Sequence, residues 1–153
     1  MTRGFYEYVD IGSSYIQSNL LGALGITQLE KIDRINKERQ KIANYFIQEL
    51  MDIPGLEFLK ITPGSKSNYH IFGILVPPDE KYWIMDALRA EGIMANVHYT
   101  TLHKNKFYSH LTTDNDMPGA MQFFNPLLRF PIYPSLTEKE KELIVEAVRK
   151  ILI

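Results

Sequence analysis

The segment His98-Tyr99-Thr100-Thr101-Leu102-His103 concentrates more potential chemistry than any other stretch of the chain. It puts three polar rings just past the end of a predicted strand, where a loop can present them to a ligand. The same rings could equally be committed to structural hydrogen bonds, and spacing alone leaves both readings open. His70 and His110 complete the histidine set. No two of these histidines form a His-x-x-x-His pair on a predicted helix, and no carboxylate is placed to complete a ligand set, so no metal site is expected. A second candidate is Gly12-Ser13-Ser14 ahead of a helical pattern. Its backbone N–H groups could receive a phosphate, or the residues could simply turn the chain into the helix. Neither serine lies in a Gly-x-Ser-x-Gly elbow, which argues against a hydrolase nucleophile. There is no Gly-x-Gly-x-x-Gly and no P-loop. With no cysteine, disulfides, thiolate metal sites and cysteine nucleophiles are excluded.

The elements that must position these residues follow from periodicity. Phe5 to Ile16 is aromatic, lacks a helical period and reads as extended. From Ser18, apolar residues recur at helical spacing: Leu20, Leu24, Ile32, Ile35, Ile42 and Phe46 among them. Ser18 or Asn19 can cap the start, and Pro54-Gly55 stops the run. One continuous helix of roughly 30 residues would span about 45 Å, more than the about 30 Å expected across a domain of this size. Such a helix is expected to pack on something beyond its own domain. Lys31, Arg34, Lys37, Arg39 and Lys41, interleaved with acids, read as its solvated face. Strands are expected at Leu56–Ile61, Tyr69–Val76 and Ile93–Val97. A helix with Trp83, Ile84, Ala87 and Leu88 on its apolar face should end at Gly92. Pro118–Leu128 reads as helical and Arg129–Pro134 as an extended connection. Thr137-Glu138-Lys139-Glu140 is a capping box opening a last helix through Leu143, Ile144, Ala147, Val148 and Ile151.

The fold class expected is therefore α+β: a long N-terminal helix packed on a small, about three-stranded sheet with flanking helices. The organisation expected is an extended segment over residues 1–17, a connecting helix over 18–51 and a small domain over 52–153. With 153 residues, 45% of them hydrophobic, the chain can bury a core. A net charge of −1 gives no pull toward nucleic acid or an anionic membrane. No apolar run approaches the about 20 residues of a membrane span, and the N-terminus has no signal-peptide core, so a cytoplasmic protein is expected. The clusters Phe5-Tyr6-Tyr8 and Phe123-Phe124 read as core or interface rather than a base-stacking platform.

Several motifs resemble the pyridoxal-phosphate (PLP)-dependent sugar-nucleotide aminotransferases, over nearly the whole chain. They are Tyr8-Val9-Asp10-Ile11-Gly12-Ser13-Ser14-Tyr15, Leu20-Leu21-Gly22-Ala23-Leu24-Gly25-Ile26, and Arg34-Ile35-Asn36 with Glu38-Arg39. The match resumes at Tyr69-His70-Ile71-Phe72, Gly92-Ile93-Met94, His98-Tyr99, Leu102-His103 and Leu127-Leu128-Arg129-Phe130-Pro131. Most members carry Gly-x-Asn-Tyr-Arg-Met before the long helix; here Ser14 stands at the Asn position and Ile16 at the Arg position. The Asp-Ile-Gly-Ser-Ser-Tyr form is most similar to the branch that makes dTDP-4-amino-4,6-dideoxygalactose from the 4-keto sugar.

The resemblance implies the C-terminal small domain of a fold-type-I PLP enzyme, working as a homodimer on a nucleotide-sugar substrate. Ser14 and Tyr15 would contact the cofactor phosphate of the partner subunit. His98, Tyr99 and His103 would line the nucleotide-sugar side, with His70 nearby. The family's Schiff-base lysine and the acidic partner of the pyridine nitrogen lie in a large domain upstream of Met1. Neither Lys31 nor Lys104 stands in that lysine's context, so the chain by itself is expected to bind no PLP covalently and to be inactive. The alternative is a non-catalytic nucleotide-sugar-binding or dimerisation module derived from the same family.

Overall fold

A computed structural model describes residues 10–153. The Phe5-Tyr6-Tyr8 cluster and the first part of the expected extended segment lie outside the described residues. The chain divides into a unit of residues 1–33 and a unit of residues 34–153.

In the first unit, residues 11–18 carry no regular secondary structure and lead into α1 (Asn19–Leu29). Ser18 caps it, its hydroxyl oxygen accepting the Leu21 N–H at 3.3 Å. Apolar residues surround α1 rather than forming a stripe, and none is buried. The continuous helix expected from Ser18 is instead two helices, because a turn at Glu30-Lys31 separates α1 from α2 (Ile32–Leu50). The cause is local. Gly22, Gly25 and the β-branched pair Ile26-Thr27 weaken the last turns of α1. Thr27 also turns its hydroxyl back on the Leu24 carbonyl at 2.8 Å. The Lys31 N–H then closes onto Gln28, three residues back.

The second unit holds the core. α2 contributes one buried stripe, Ile42, Ala43, Phe46 and Leu50, at the spacing of a helix face. Three antiparallel strands follow in the order β1-β2-β3: β1 (Glu57–Phe58), β2 (Phe72–Leu75) and β3 (Leu127–Phe130). Phe72 lies opposite Phe130 and Ile74 opposite Leu128. These four side chains form the core face of the sheet, with Phe46 wedged 5.4 Å from Phe72 and 6.4 Å from Phe130, ring centre to ring centre. α3 (Lys81–Ala90) and α5 (Glu138–Leu152) pack together over the same core.

The three-stranded α+β architecture is as expected, but the third strand is not Ile93–Val97. There the Ala95 N–H bonds to Ile93 and the Ile93 N–H to Leu88, so local turns consume the donors a strand would use. That segment keeps a single bridge, Asn96 to Arg129. The third strand is β3, in a stretch expected to be helical up to Leu128. The helix, α4 (Pro118–Phe124), stops earlier because Pro126 has no N–H to continue it. In α3 the buried row is Lys81, Ile84 and Leu88, whereas Trp83, expected on the apolar face, is exposed. The Lys81 ammonium donates to the Phe124 carbonyl at 2.7 Å and lies 3.9 Å from the Phe124 ring centre. It thus caps the C-terminal end of α4 with a cation. Thr137 and Glu140 form the expected capping box of α5. Arg149 of α5 grips Asp52 through two nitrogens, at 2.7 and 3.2 Å.

Candidate functional site

Alternation along β3 sets the geometry. Leu128 and Phe130 face the helices, so Leu127 and Arg129 face the other side of the sheet. Gly73 opposes Arg129 across β2, and Asn96 opposes it on the other side. Directly opposed residues share a face, so Asn96 and Arg129 stand together on the face away from the core. A Cβ on Gly73 would lie 2.8 Å from a Leu59 methyl and 2.9 Å from a Leu127 methyl. The missing side chain lets these two leucines close over β2 at Gly73.

His98 lies two residues beyond Asn96. It is half-buried, and its Nδ1 has no hydrogen-bond partner among the described residues. Burial, then the Arg129 charge, then His70 hold its pKa below the ordinary imidazole range. The neutral ring is therefore favoured at neutral pH. Tyr99 follows across a cis peptide bond, its ring centre 3.7 Å from that of His98, and it is exposed. His70, exposed at the entry to β2, is near enough to act on His98 electrostatically.

His103 is held differently. It is buried, with Nε2 2.9 Å from a carboxylate oxygen of Asp114, whose other oxygen lies 2.8 Å from the Lys104 ammonium. Lys104 first and His103 second keep the Asp114 carboxyl below its usual range. The ring forms part of the wall of a cleft of about 400 Å³ with Leu102, Tyr108, Leu111 and Met117. Of the two readings open for the His98–His103 loop, structural hydrogen bonding describes His103, while the His98 Nδ1 has no partner among the described residues.

Ser14 and Tyr15 lie in the first unit, exposed, with no side-chain hydrogen bond to another described residue. Ser14 does not open the helix, since Ser18 is the cap. Sequence reasoning gave no role to Arg129, although a lone charge inside the apolar run Leu127–Phe130 was a visible signal. It also missed Asp114 as the partner of His103, and it placed Arg39 on a solvated face where the structure half-buries it. Among the described residues no group of three potential metal ligands comes together, and no helix is long and apolar enough to cross a membrane.

The chain is 29% identical over 149 residues to a UDP-4-amino-4,6-dideoxy-N-acetyl-beta-L-altrosamine transaminase of Campylobacter jejuni, covering 95% of this chain and 40% of that protein. It is 29% identical over 157 residues to the spore coat polysaccharide biosynthesis protein SpsC of Bacillus subtilis, covering 97% of this chain and 40% of that one. Its fold superposes on S. venezuelae DesV, solved in complex with a ketimine intermediate, with a TM-score of 0.86. That likeness is at 22% identity and covers 97% of this chain and 40% of DesV. The chain thus spans about two fifths of the length of these relatives. Residues 1–149 match the DegT/DnrJ/EryC1/StrS aminotransferase family, and the chain belongs to that family.

Proposed function

We propose that this chain is the C-terminal part of an aminotransferase that places an amino group on a nucleotide-linked 4-keto-6-deoxy sugar, for surface polysaccharide or lipopolysaccharide. The observation that carries this reading is the exposed Tyr99 ring stacked beside the neutral, half-buried His98, in a chain whose family is PLP-dependent. The Campylobacter relative is by its name specific for a uridine-linked amino sugar, whereas the Asp10–Tyr15 form points to a thymidine-linked one. Either nucleotide suits the site, because a sugar ring or base can lie flat on Tyr99.

PLP supplies the amine carrier and the electron sink when it is bound. The fit of this chain to it is partial. Ser14 offers a hydroxyl and Tyr15 a phenol, both exposed and unspent on other described residues. They would hold the cofactor phosphate of a partner subunit in a homodimer. Lys81 is sealed in the core against Phe124 and cannot serve as the Schiff-base lysine. Neither Lys31 nor Lys104 stands in the context of the family's lysine, so the chain on its own would be inactive and its residues would orient the sugar rather than carry the amine. His98, Tyr99 and His70 line the sugar side, with His103 setting the loop behind them.

Titration of the chain with a uridine- and a thymidine-linked 4-keto sugar, followed by ring signals of Tyr99 and His98, tests this reading. Saturable shifts that Tyr99→Ala weakens at least tenfold are expected. The absence of any shift, or a borohydride-stable PLP adduct on this chain, would overturn it.

A further inference from the structure

We infer that Arg129 and His98 form an oxyanion subsite on the face of the sheet away from the core, one that takes a carboxylate or phosphate group of a substrate. The inference rests on the placement of substrate at His98 proposed above.

Arg129 lies between two backbone neighbours, and its own N–H and C=O both bond on the Asn96 side. It pairs with Gly73 in β2 and exchanges hydrogen bonds with Asn96 at 3.2 and 2.9 Å. Its guanidinium is thus projected from a fixed base, not from a loop. Yet it forms no ion pair with any described residue, and its Nε, closed off from water, has no acceptor. Arg149 is the contrast, because its fork is filled by both oxygens of Asp52. The charged groups that act on His98 are Arg129 and His70, with no carboxylate among them. A half-buried cation without a counter-charge is costly, and an incoming oxyanion would supply one.

The chemistry of the two side chains selects that ligand. A guanidinium presents parallel N–H groups that match the paired oxygens of a carboxylate or a phosphate. A neutral imidazole adds a hydrogen bond without a second positive charge to desolvate. Arg129 is half-buried with its Nε closed off from water, which strengthens the pairing by lowering the local dielectric. Two sources fit: the carboxylate of an amino donor, or the phosphate of the nucleotide sugar.

The test is a nuclear magnetic resonance titration of the chain with L-glutamate and, separately, with uridine diphosphate. It follows the His98 ring and the Arg129 Nε–H. The result expected is a saturable shift of both groups with one probe, which also names the source. Arg129→Gln should weaken that binding at least tenfold, and Arg129→Lys less, since an ammonium keeps the charge but not the fork. The Phe46 and Phe72 ring signals verify that each variant is folded. Should Arg129→Gln fail to fold, the wild-type titration and Arg129→Lys still decide. No saturable shift with either probe, or equal binding by a folded Arg129→Gln chain, overturns the subsite. A nucleotide sugar that moves Tyr99 and binds folded Arg129→Gln as well as wild type would sink the subsite and leave the proposed function standing. Glutamate binding lost in Arg129→Gln, with no nucleotide-sugar binding in wild type, would do the reverse.

Discussion

Asn96 and Arg129 exchange both of their backbone hydrogen bonds, and this single bridge ties the His98 loop to the sheet. Because the N–H and C=O of Arg129 both turn toward Asn96, its pairing with Gly73 on the other side is of the type without hydrogen bonds. In such a pair the strands approach most closely, with Cα atoms about 4.5 Å apart. At Gly73 this approach leaves no room for a side chain.

Gly73→Ala places a methyl within 3 Å of two leucine tips, at 2.8 and 2.9 Å. The Leu59 tip is partly exposed and can rotate away, but Leu127 is buried. A loss of about 1–3 kcal/mol in unfolding free energy is expected, the usual range for overpacking. Adding Leu59→Ala should recover part of it, because the two sites share the gap. Urea denaturation of the four chains of the double-mutant cycle measures this; strictly additive effects would refute the account.

Lys81 should give the chain a pH signature. Burial first, and the Lys104 charge second, hold its pKa below the ordinary lysine value of 10.5. Between the lowered folded pKa and that ordinary value, the unfolded chain binds more protons than the folded one. Stability attributable to this group therefore rises with pH across that window. Compared with Lys81→Met, wild type should gain relative stability as pH is raised from neutral toward 10.5. Tyr45 and Tyr133 titrate in both chains, so their contributions cancel in the difference. Parallel urea-midpoint curves for the two chains would remove the claim.

The capping box of α5 has a measurable cost of loss. Thr137→Ala leaves the Glu140 N–H without its partner and should destabilise the chain by about 1 kcal/mol, while Thr137→Ser should be nearly neutral. Hydrogen bonds from Thr137 hold the Glu140 carboxyl below its ordinary 4.5. That share of stability is present above the ordinary value and is lost as pH falls through the folded one. The penalty of Thr137→Ala should accordingly shrink in acid, and a penalty constant from pH 7 to 3 would argue against the box.

Asp114 ties down the loop of His103. Asp114→Asn weakens the contacts to both His103 and Lys104, but the carboxylate is half exposed, so the global loss should stay below about 1 kcal/mol. Amide exchange over residues 101–116 should accelerate while the amides of β2 and β3 stay protected. Uniform acceleration across the sheet would show that the ion pairs support the whole unit and not only the loop.

The parts of the fold legible in the sequence were those written in local chemistry. The Thr137–Glu140 box and the amphipathic stripe of α2 are encoded within a few residues, while α2 ends at Leu50, ahead of the stop expected at Pro54-Gly55. β3 was not legible, because Leu127-Leu128-Arg129-Phe130 is too short to separate strand from helix by periodicity. Its strand identity comes from pairing with Phe72–Leu75, more than fifty residues earlier. At the site, His98 and Tyr99 were visible as polar rings, although the strand expected ahead of them is only a single bridge at Asn96. The groups that act on His98, Arg129 and His70, are distant from it in sequence and meet it only in the folded chain. The break at Glu30-Lys31 escaped notice because apolar spacing runs on across it, while the weak propensities of Gly25, Ile26 and Thr27 went unweighted.

Every residue of the central core cluster falls between Ile42 and Val148, and none comes from α1. For anyone re-engineering this protein, the start of α2 at Ile32 is a natural cutting point. A segment beginning there carries every described member of that cluster with it. α1 can be exchanged between family members without removing a single described tile from that mosaic.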